Sequence, residues 1–169
     1  MNLTLALVIS YLIGSIPTAY LFGKAYKGID IRQHGSGNVG ATNVFRVLGK
    51  APGMIVLIID IAKGILPLTV IGDLFAVQSV VGRVLLGVAA VVGHNWTVFL
   101  NFKGGKGIAT SLGVLIGLTI QFPTLRLVLL ACILAWLIVF LVSAYVSLAS
   151  IVAAVVLPAA MGITNQPIE

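Results

Sequence analysis

Six apolar stretches, at residues 3–22, 52–72, 80–100, 108–122, 125–142 and 145–163, take up most of this chain. Each approaches the roughly 20 residues a helix needs to cross a bilayer. Lipid offers a backbone no hydrogen-bond partners, so helices are the economical conformation for such segments. The expected fold is therefore all-α: one membrane-embedded domain over residues 1–169, polytopic, with about six transmembrane helices. The fourth stretch is short and reads as tilted or partly re-entrant. Composition agrees, since only 8% of residues are charged where a soluble domain carries about 25%. The first stretch has no basic region before it and runs through Gly14 and Pro17 into a polar loop. It reads as a retained helix rather than a cleaved signal peptide.

Charge sorts the loops. Ten Lys/Arg against four Asp/Glu give a net charge of +6. Lys24, Lys27, Arg32, Arg46 and Lys50 lie between the first two stretches, and Lys103 and Lys106 between the third and fourth. Parity puts both loops on one face, while Arg83 and Arg126 sit near the other. The positive-inside rule makes the basic face cytoplasmic and the N-terminus external. Within a membrane protein this charge points to lipid headgroups or small anionic substrates, not to nucleic acid. The lone cysteine, Cys132, lies in an apolar run. It has no disulfide partner and no metal-ligand cluster around it, so no cofactor or metal is expected.

Three features carry chemistry. The first is GSGNVGATN at residues 35–43, followed by Val44, Phe45 and Arg46. Glycines this close let a backbone turn sharply and approach a ligand, while Ser36, Asn38, Thr42 and Asn43 add short polar groups. Residues 41–48 suit a short helix stopped by Gly49, whose N-terminus would offer amides to an anion. Arg46 would add a bidentate fork for phosphate. The same composition also suits a flexible polar connector.

The second is Lys103-Gly104-Gly105-Lys106-Gly107, which runs into the fourth stretch. Successive glycine amides can form an anion nest, reinforced by a helix N-terminus and two lysines. The spacing is not that of a nucleotide-binding P-loop, and no strand precedes it. The alternative is a positive-inside anchor, though an anchor does not need three glycines in five positions.

The third is a set of polar groups inside or at the ends of helices. Asp60 and Lys63, three residues apart, share a helix face and can pair, for structure or for catalysis. His94 and Asn95 end the third stretch on the basic face, as caps or as substrate contacts. Ser143, Ser147 and Ser150 follow the fifth stretch, where helix capping is the plain reading. A histidine followed at the fifth position by aspartate, common in CoA-dependent acyltransferases, is absent: Val39 follows His34 and Phe99 follows His94 at that spacing. With few acids available, any reaction should use an already activated substrate and rely on positioning and charge stabilisation.

GSGNVGATNVFR at residues 35–46 and GHNWTVFLNFKGGKGIATSLG at residues 93–113 closely resemble the bacterial acyl-phosphate:glycerol-3-phosphate acyltransferase family, PlsY. Residues 14–18, 60–64 and 145–150 match it as well, so the resemblance runs along the chain. It implies an enzyme that moves a fatty acyl group from acyl phosphate, not acyl-CoA, to the 1-hydroxyl of glycerol 3-phosphate. Lysophosphatidate and inorganic phosphate are the products, in the first step of phospholipid biosynthesis. By motif, Ser36, Asn38, Thr42, Asn43 and Arg46 become substrate-phosphate and positioning residues. Gly104, Gly105, Lys106 and Gly107 become the phosphate loop, Lys103 and Lys106 its main charge, and Ser147 a neighbour of glycerol 3-phosphate. Ser36, Arg46 and Lys106 are the expected catalytic residues, with His94 or a substrate phosphate as proton acceptor. The resemblance further implies no cofactor, membrane lipid as surroundings, supply from an acyl-phosphate-forming enzyme, and a multi-pass place in the bacterial inner membrane. The family's seventh helix and cytoplasmic tail find no match after residue 163, so the chain is expected to be a shortened form or to lack part of the acceptor site. The rival readings are a small carrier for phosphate esters, which needs polar groups through the membrane depth, and an assembly subunit, which needs no glycine-lined pocket.

Overall fold

A computed structural model describes residues 2–164, and the regular elements among them are all helical. The expectation of a missing seventh helix and tail falls on residues 165–169 and lies outside the described residues. The chain forms two compact units, Met1–Gly117 and Leu118–Glu169.

The first apolar stretch is two helices: α1, Leu3–Ser15, and α2, Thr18–Lys27. Pro17 lacks an amide hydrogen and pushes the residue before it out of helical geometry, and Ile16 sits at φ −55°, ψ 114°. Left-handed Gly28 ends α2 by donating to the Lys24 carbonyl, while Ile29 N–H donates to Gly23. The basic loop then carries a 3-10 turn, Ile31–Gln33, and helix α3, Ala41–Leu48, which Gly49 terminates as expected from sequence. Helix α4, Lys50–Leu66, passes through a π-helical turn at Pro67–Ile71 into α5, Gly72–Leu74. Helix α6, Val80–Asn95, returns to the basic loops, and α7, Ile108–Gln121, follows the Lys/Gly loop. In the second unit, α8, Arg126–Ser143, and α9, Val146–Ile163, pack as a hairpin turned at left-handed Ala144. Trp136 Nε1 donates to Ser150 Oγ across it at 3.1 Å.

Among the described residues five segments are long and apolar enough to cross a membrane: Leu3–Lys27, Lys50–Leu74, Val80–Leu100, Pro123–Ser143 and Val146–Ile163. The fourth stretch is the shorter helix α7, in keeping with its expected brevity.

In the first unit α1 and α6 pack backbone to backbone. A Cβ on Gly93 would strike the Tyr11 carbonyl oxygen, and one on Gly14 the Ala90 carbonyl. Small residues permit this approach where lipid gives helices no hydrophobic reason to associate. Arg83, read from sequence as an edge cation, is instead 3% exposed. Its guanidinium donates to the carbonyls of Leu68 and Val77 and to Asp73 Oδ1, closing the irregular end of the α4–α5 span.

Overpacking a tight contact costs about 1–3 kcal/mol. Gly93→Leu is therefore expected to lower the thermal midpoint in detergent by several degrees, read by tryptophan fluorescence. An unchanged midpoint would refute the close packing.

Candidate active site

The first glycine loop is built by its own side chains. Asp30 caps the 3-10 turn by accepting from Arg32 N–H at 3.0 Å, and holds the Arg32 guanidinium through Nε at 3.0 Å and Nη2 at 2.7 Å. The hydrogen bonds from Arg32 hold the Asp30 carboxyl down at about 2. Arg32 also lies over the Tyr20 ring, 5.1 Å from its centroid. This cation is committed to the scaffold, and so is Lys27, which donates to the Val47 carbonyl.

Asn43 is fully buried, and its amide is spent on the loop. Its Nδ2 donates to the carbonyls of Ile31 and His34 at 3.2 and 3.0 Å, while Oδ1 accepts from Ser36 N–H at 2.8 Å. Left-handed Gly35 packs against Asn43 and Val47 with the Arg46 stem close by, space that a side chain would fill. Sequence reading makes Asn43 a substrate ligand; the structure makes it the pin that holds Ser36 over α3. Ser36, Thr42 and Arg46 are exposed around it, and Asn38 is half-buried. Beneath them Val39, Ala41, Val44, Leu48, Val56 and Leu100 form a buried apolar base.

The second loop folds back on the end of α6. Gly104 N–H donates to the Asn95 carbonyl and Gly105 N–H to the His94 carbonyl, both at 3.0 Å. A Cβ on Gly104 would strike the His94 carbonyl, and one on Gly105 would meet the His94 ring and, at 2.7 Å, the Val39 carbonyl. These glycines serve close approach, and their amides are engaged rather than open for a nest. The donors left for a ligand are the backbone from Lys106 to the start of α7, together with the Lys103 and Lys106 ammonium groups. Both lysines are exposed and make no ion pair among the described residues. The approach at Gly105 and Val39 is what brings the two glycine loops together.

Behind them lies a small polar cavity, lined by Ser15, Thr18, Val39, Lys63, His94 and Gly104 among others. His94 is 7% exposed, so it is a wall of this cavity more than a group open to the loops. Asp60 and Lys63 pair as expected, at 2.7 Å and deeply buried. Sequence reading misses their other partners: Lys63 Nζ donates to the Ile16 carbonyl at 2.7 Å and to Thr18 Oγ1 at 3.0 Å, and Thr18 Oγ1 donates to Asp60 Oδ1. Pro17 in an apolar run is the available signal for a broken helix with carbonyls to satisfy. In the second unit, Ser143 Oγ accepts from Tyr145 N–H and donates to the Val139 carbonyl, a capping arrangement. Ser147 is exposed on α9 of that unit.

Fold and site together define a polytopic membrane protein with a basic, glycine-rich face. The sequence model of the family described as "Glycerol-3-phosphate acyltransferase" matches residues 4–168. A protein of that name, numbered 2, from Moorella thermoacetica is 49% identical over 91% of this chain and 75% of its own length. Its namesake from Chlorobium luteolum is 46% identical over all of this chain and 73% of its own. The crystal structure of PlsY, an integral membrane glycerol 3-phosphate acyltransferase, in its glycerol 3-phosphate form superposes with a TM-score of 0.85 at 40% identity, covering 98% of this chain and 79% of that one. The lysophosphatidic acid form gives 0.82. The chain belongs to the glycerol-3-phosphate acyltransferase family.

Asn43→Leu keeps the volume and removes three hydrogen bonds, each worth about 0.5–1.5 kcal/mol net, while stranding buried carbonyls. Thermal unfolding should show a loss of about 2–4 kcal/mol, with faster protease cleavage in the loop. Full stability would restore Asn43 to the role of ligand.

Proposed function

We propose that this chain transfers a fatty acyl group from acyl phosphate to the 1-hydroxyl of glycerol 3-phosphate, giving lysophosphatidate and inorganic phosphate. The approach of the two glycine loops at Gly105 and Val39 carries this reading, because it sets the run that bears Ser36, Thr42 and Arg46 against the run that bears Lys103 and Lys106, all of them exposed. Both substrates bear phosphate, and these groups are hydroxyls and cations suited to holding it. A groove lined by Ile16, Pro17, Tyr20, Leu21, Phe99 and Leu100 opens beside the cavity and shares Ile16 and Pro17 with it. Its apolar walls suit an acyl chain.

The acceptor oxygen attacks the acyl carbonyl carbon, the bond from that carbon to the phosphate oxygen breaks, and the departing phosphate takes the hydroxyl proton. Phosphate leaves readily, so no covalent intermediate with the protein is required. Lys106, with the first amides of α7, stabilises charge on the departing phosphate, and Lys103 adds to it. Arg46 and Ser36 hold the second phosphate-bearing substrate, aided by Asn38 and Thr42. Gly104, Gly105 and Gly107 shape the loop, Asn43 positions Ser36, and His94 backs the loop from behind instead of taking the proton. Ser147 keeps the glycerol 3-phosphate role that its motif implies, and residues 1–169 are read as one acyltransferase domain. The protein works as a multi-pass component of the bacterial inner membrane with six spans, its N-terminus outside and its basic face in the cytoplasm. An acyl-phosphate-forming enzyme supplies the donor there.

The test is lysophosphatidate formation by purified protein. Acyl phosphate should give product and acyl-CoA none. Lys106→Ala should cut kcat about 10²- to 10³-fold, the usual cost of one charge-stabilising donor. Equal turnover in the variant would end the phosphate-loop role, and product from acyl-CoA would end the donor assignment.

A further inference from the structure

The buried polar cluster at the break between α1 and α2 has no part in the acyl-transfer steps themselves. Pro17 withholds one amide from the helix, and two carbonyls at the break are served by side chains from elsewhere. Thr97 Oγ1, just beyond α6, donates to the Ser15 carbonyl at 2.5 Å. Lys63 of α4 donates to the Ile16 carbonyl, which also accepts from Thr18 N–H. The three protons of the Lys63 ammonium are matched by three acceptors, Asp60 Oδ1, Thr18 Oγ1 and the Ile16 carbonyl. Thr18 closes the triangle by donating to Asp60. On the other side the His94 ring stands 4.0 Å from Asp60 Oδ1, and its far nitrogen backs onto Gly105. Asp60 Oδ2 is buried with no hydrogen-bond partner among the described residues.

A buried ion pair is weak evidence for stability, because well-packed apolar replacements are often as stable or more so. What this pair joins is specific. Ile16 and Pro17 line both the polar cavity and the apolar groove, whereas His94 and Gly104 belong to the loop side of the cavity.

We propose that Asp60, Lys63 and Thr18 are positioning residues for acyl transfer: their closed triangle fixes the helix break against His94 and thereby sets the apolar groove relative to the Lys103–Gly107 loop. This rests on the reading of the chain as an acyltransferase. An acyl phosphate laid across that junction has its chain in the groove and its phosphate at the loop, so the triangle governs where the carbonyl carbon sits. Misplacement near 1 Å costs up to about 10²-fold in rate, and it falls on kcat more than on KM because the binding groups are untouched.

The experiment compares three variants with the wild-type chain, by steady-state acyl transfer with both substrates varied and by thermal unfolding. Thr18→Val is nearly isosteric and removes only the bridging hydroxyl; Thr18→Ser keeps it. Asp60→Leu with Lys63→Met replaces the pair by apolar groups of similar size. Thr18→Val and the double variant should lose about 10- to 100-fold in kcat with KM within about threefold of wild type and thermal midpoints retained. Thr18→Ser should restore most of the rate. Wild-type kcat in both Thr18→Val and the double variant overturns the positioning role while leaving the acyltransferase reading intact. A rate loss in Thr18→Ser equal to that in Thr18→Val overturns it too, because the hydroxyl is then not the cause. No lysophosphatidate from the wild-type chain under any condition removes the reading itself, and this inference with it.

Discussion

A backbone in lipid has no water to turn to, so every break in a helix must be repaired from within the protein. The break at Ile16 and Pro17 is the point on which this architecture turns. The break turns two carbonyls of the first span toward other segments: Ser15 accepts from Thr97, and Ile16 accepts from Lys63 as well as from Thr18 N–H. The two side-chain donors tie α1, α2, α4 and the end of α6 to one spot. The same end of α6 supplies the carbonyls that fasten Gly104 and Gly105. A local backbone defect, once satisfied, thus becomes a scaffold for the second glycine loop.

The division between scaffold and working groups comes from which polar atoms are already used. Arg32 is held by Asp30, Lys27 by a carbonyl, and Asn43 by three loop partners. Arg46, Lys103 and Lys106 stay exposed with no ion pair among the described residues. Side chains already engaged in this way are held in place by the loop and are less free to turn toward a ligand. The seven basic residues on one face therefore overstate the charge available to an anion by the two cations held in the scaffold, and three of the remaining five, Arg46, Lys103 and Lys106, lie beside the two glycine runs.

Much of this is legible in the sequence. Apolar length alone locates the helices, and the interval from Gly40 to Gly49 bounds α3 because glycine stops helices through its backbone freedom. The Asp60–Lys63 pair is implied by helical spacing. What stays hidden depends on direction in space. A single sequence says that Asn43 is polar and near Ser36, not that its amide turns inward. It says that Gly104 and Gly105 allow close approach, not that the partner approached is the end of α6. Residues 3–22 read as one helix, although the chain breaks at Pro17 and α2 runs on to Lys27. Hydropathy places Arg83 near an interface, whereas its partners include a carbonyl of an irregular π turn that no periodicity announces, beside the Val77 carbonyl and Asp73.

The distribution of these polar groups also bears on the rival reading of a carrier. A transport path needs polar atoms that can exchange partners with a moving solute. Here the charges furthest into the membrane-spanning helices, Asp60 and Lys63, are closed on each other, on Thr18 and on a backbone carbonyl. Opening that triangle to a passing anion would leave a carboxylate and an ammonium without their partners in a low-dielectric setting, a cost of several kcal/mol. A solute gains nothing there that the loops do not offer more cheaply. The buried cluster is built to stay shut, which suits a site where two anions meet at a surface, react and leave by the same side.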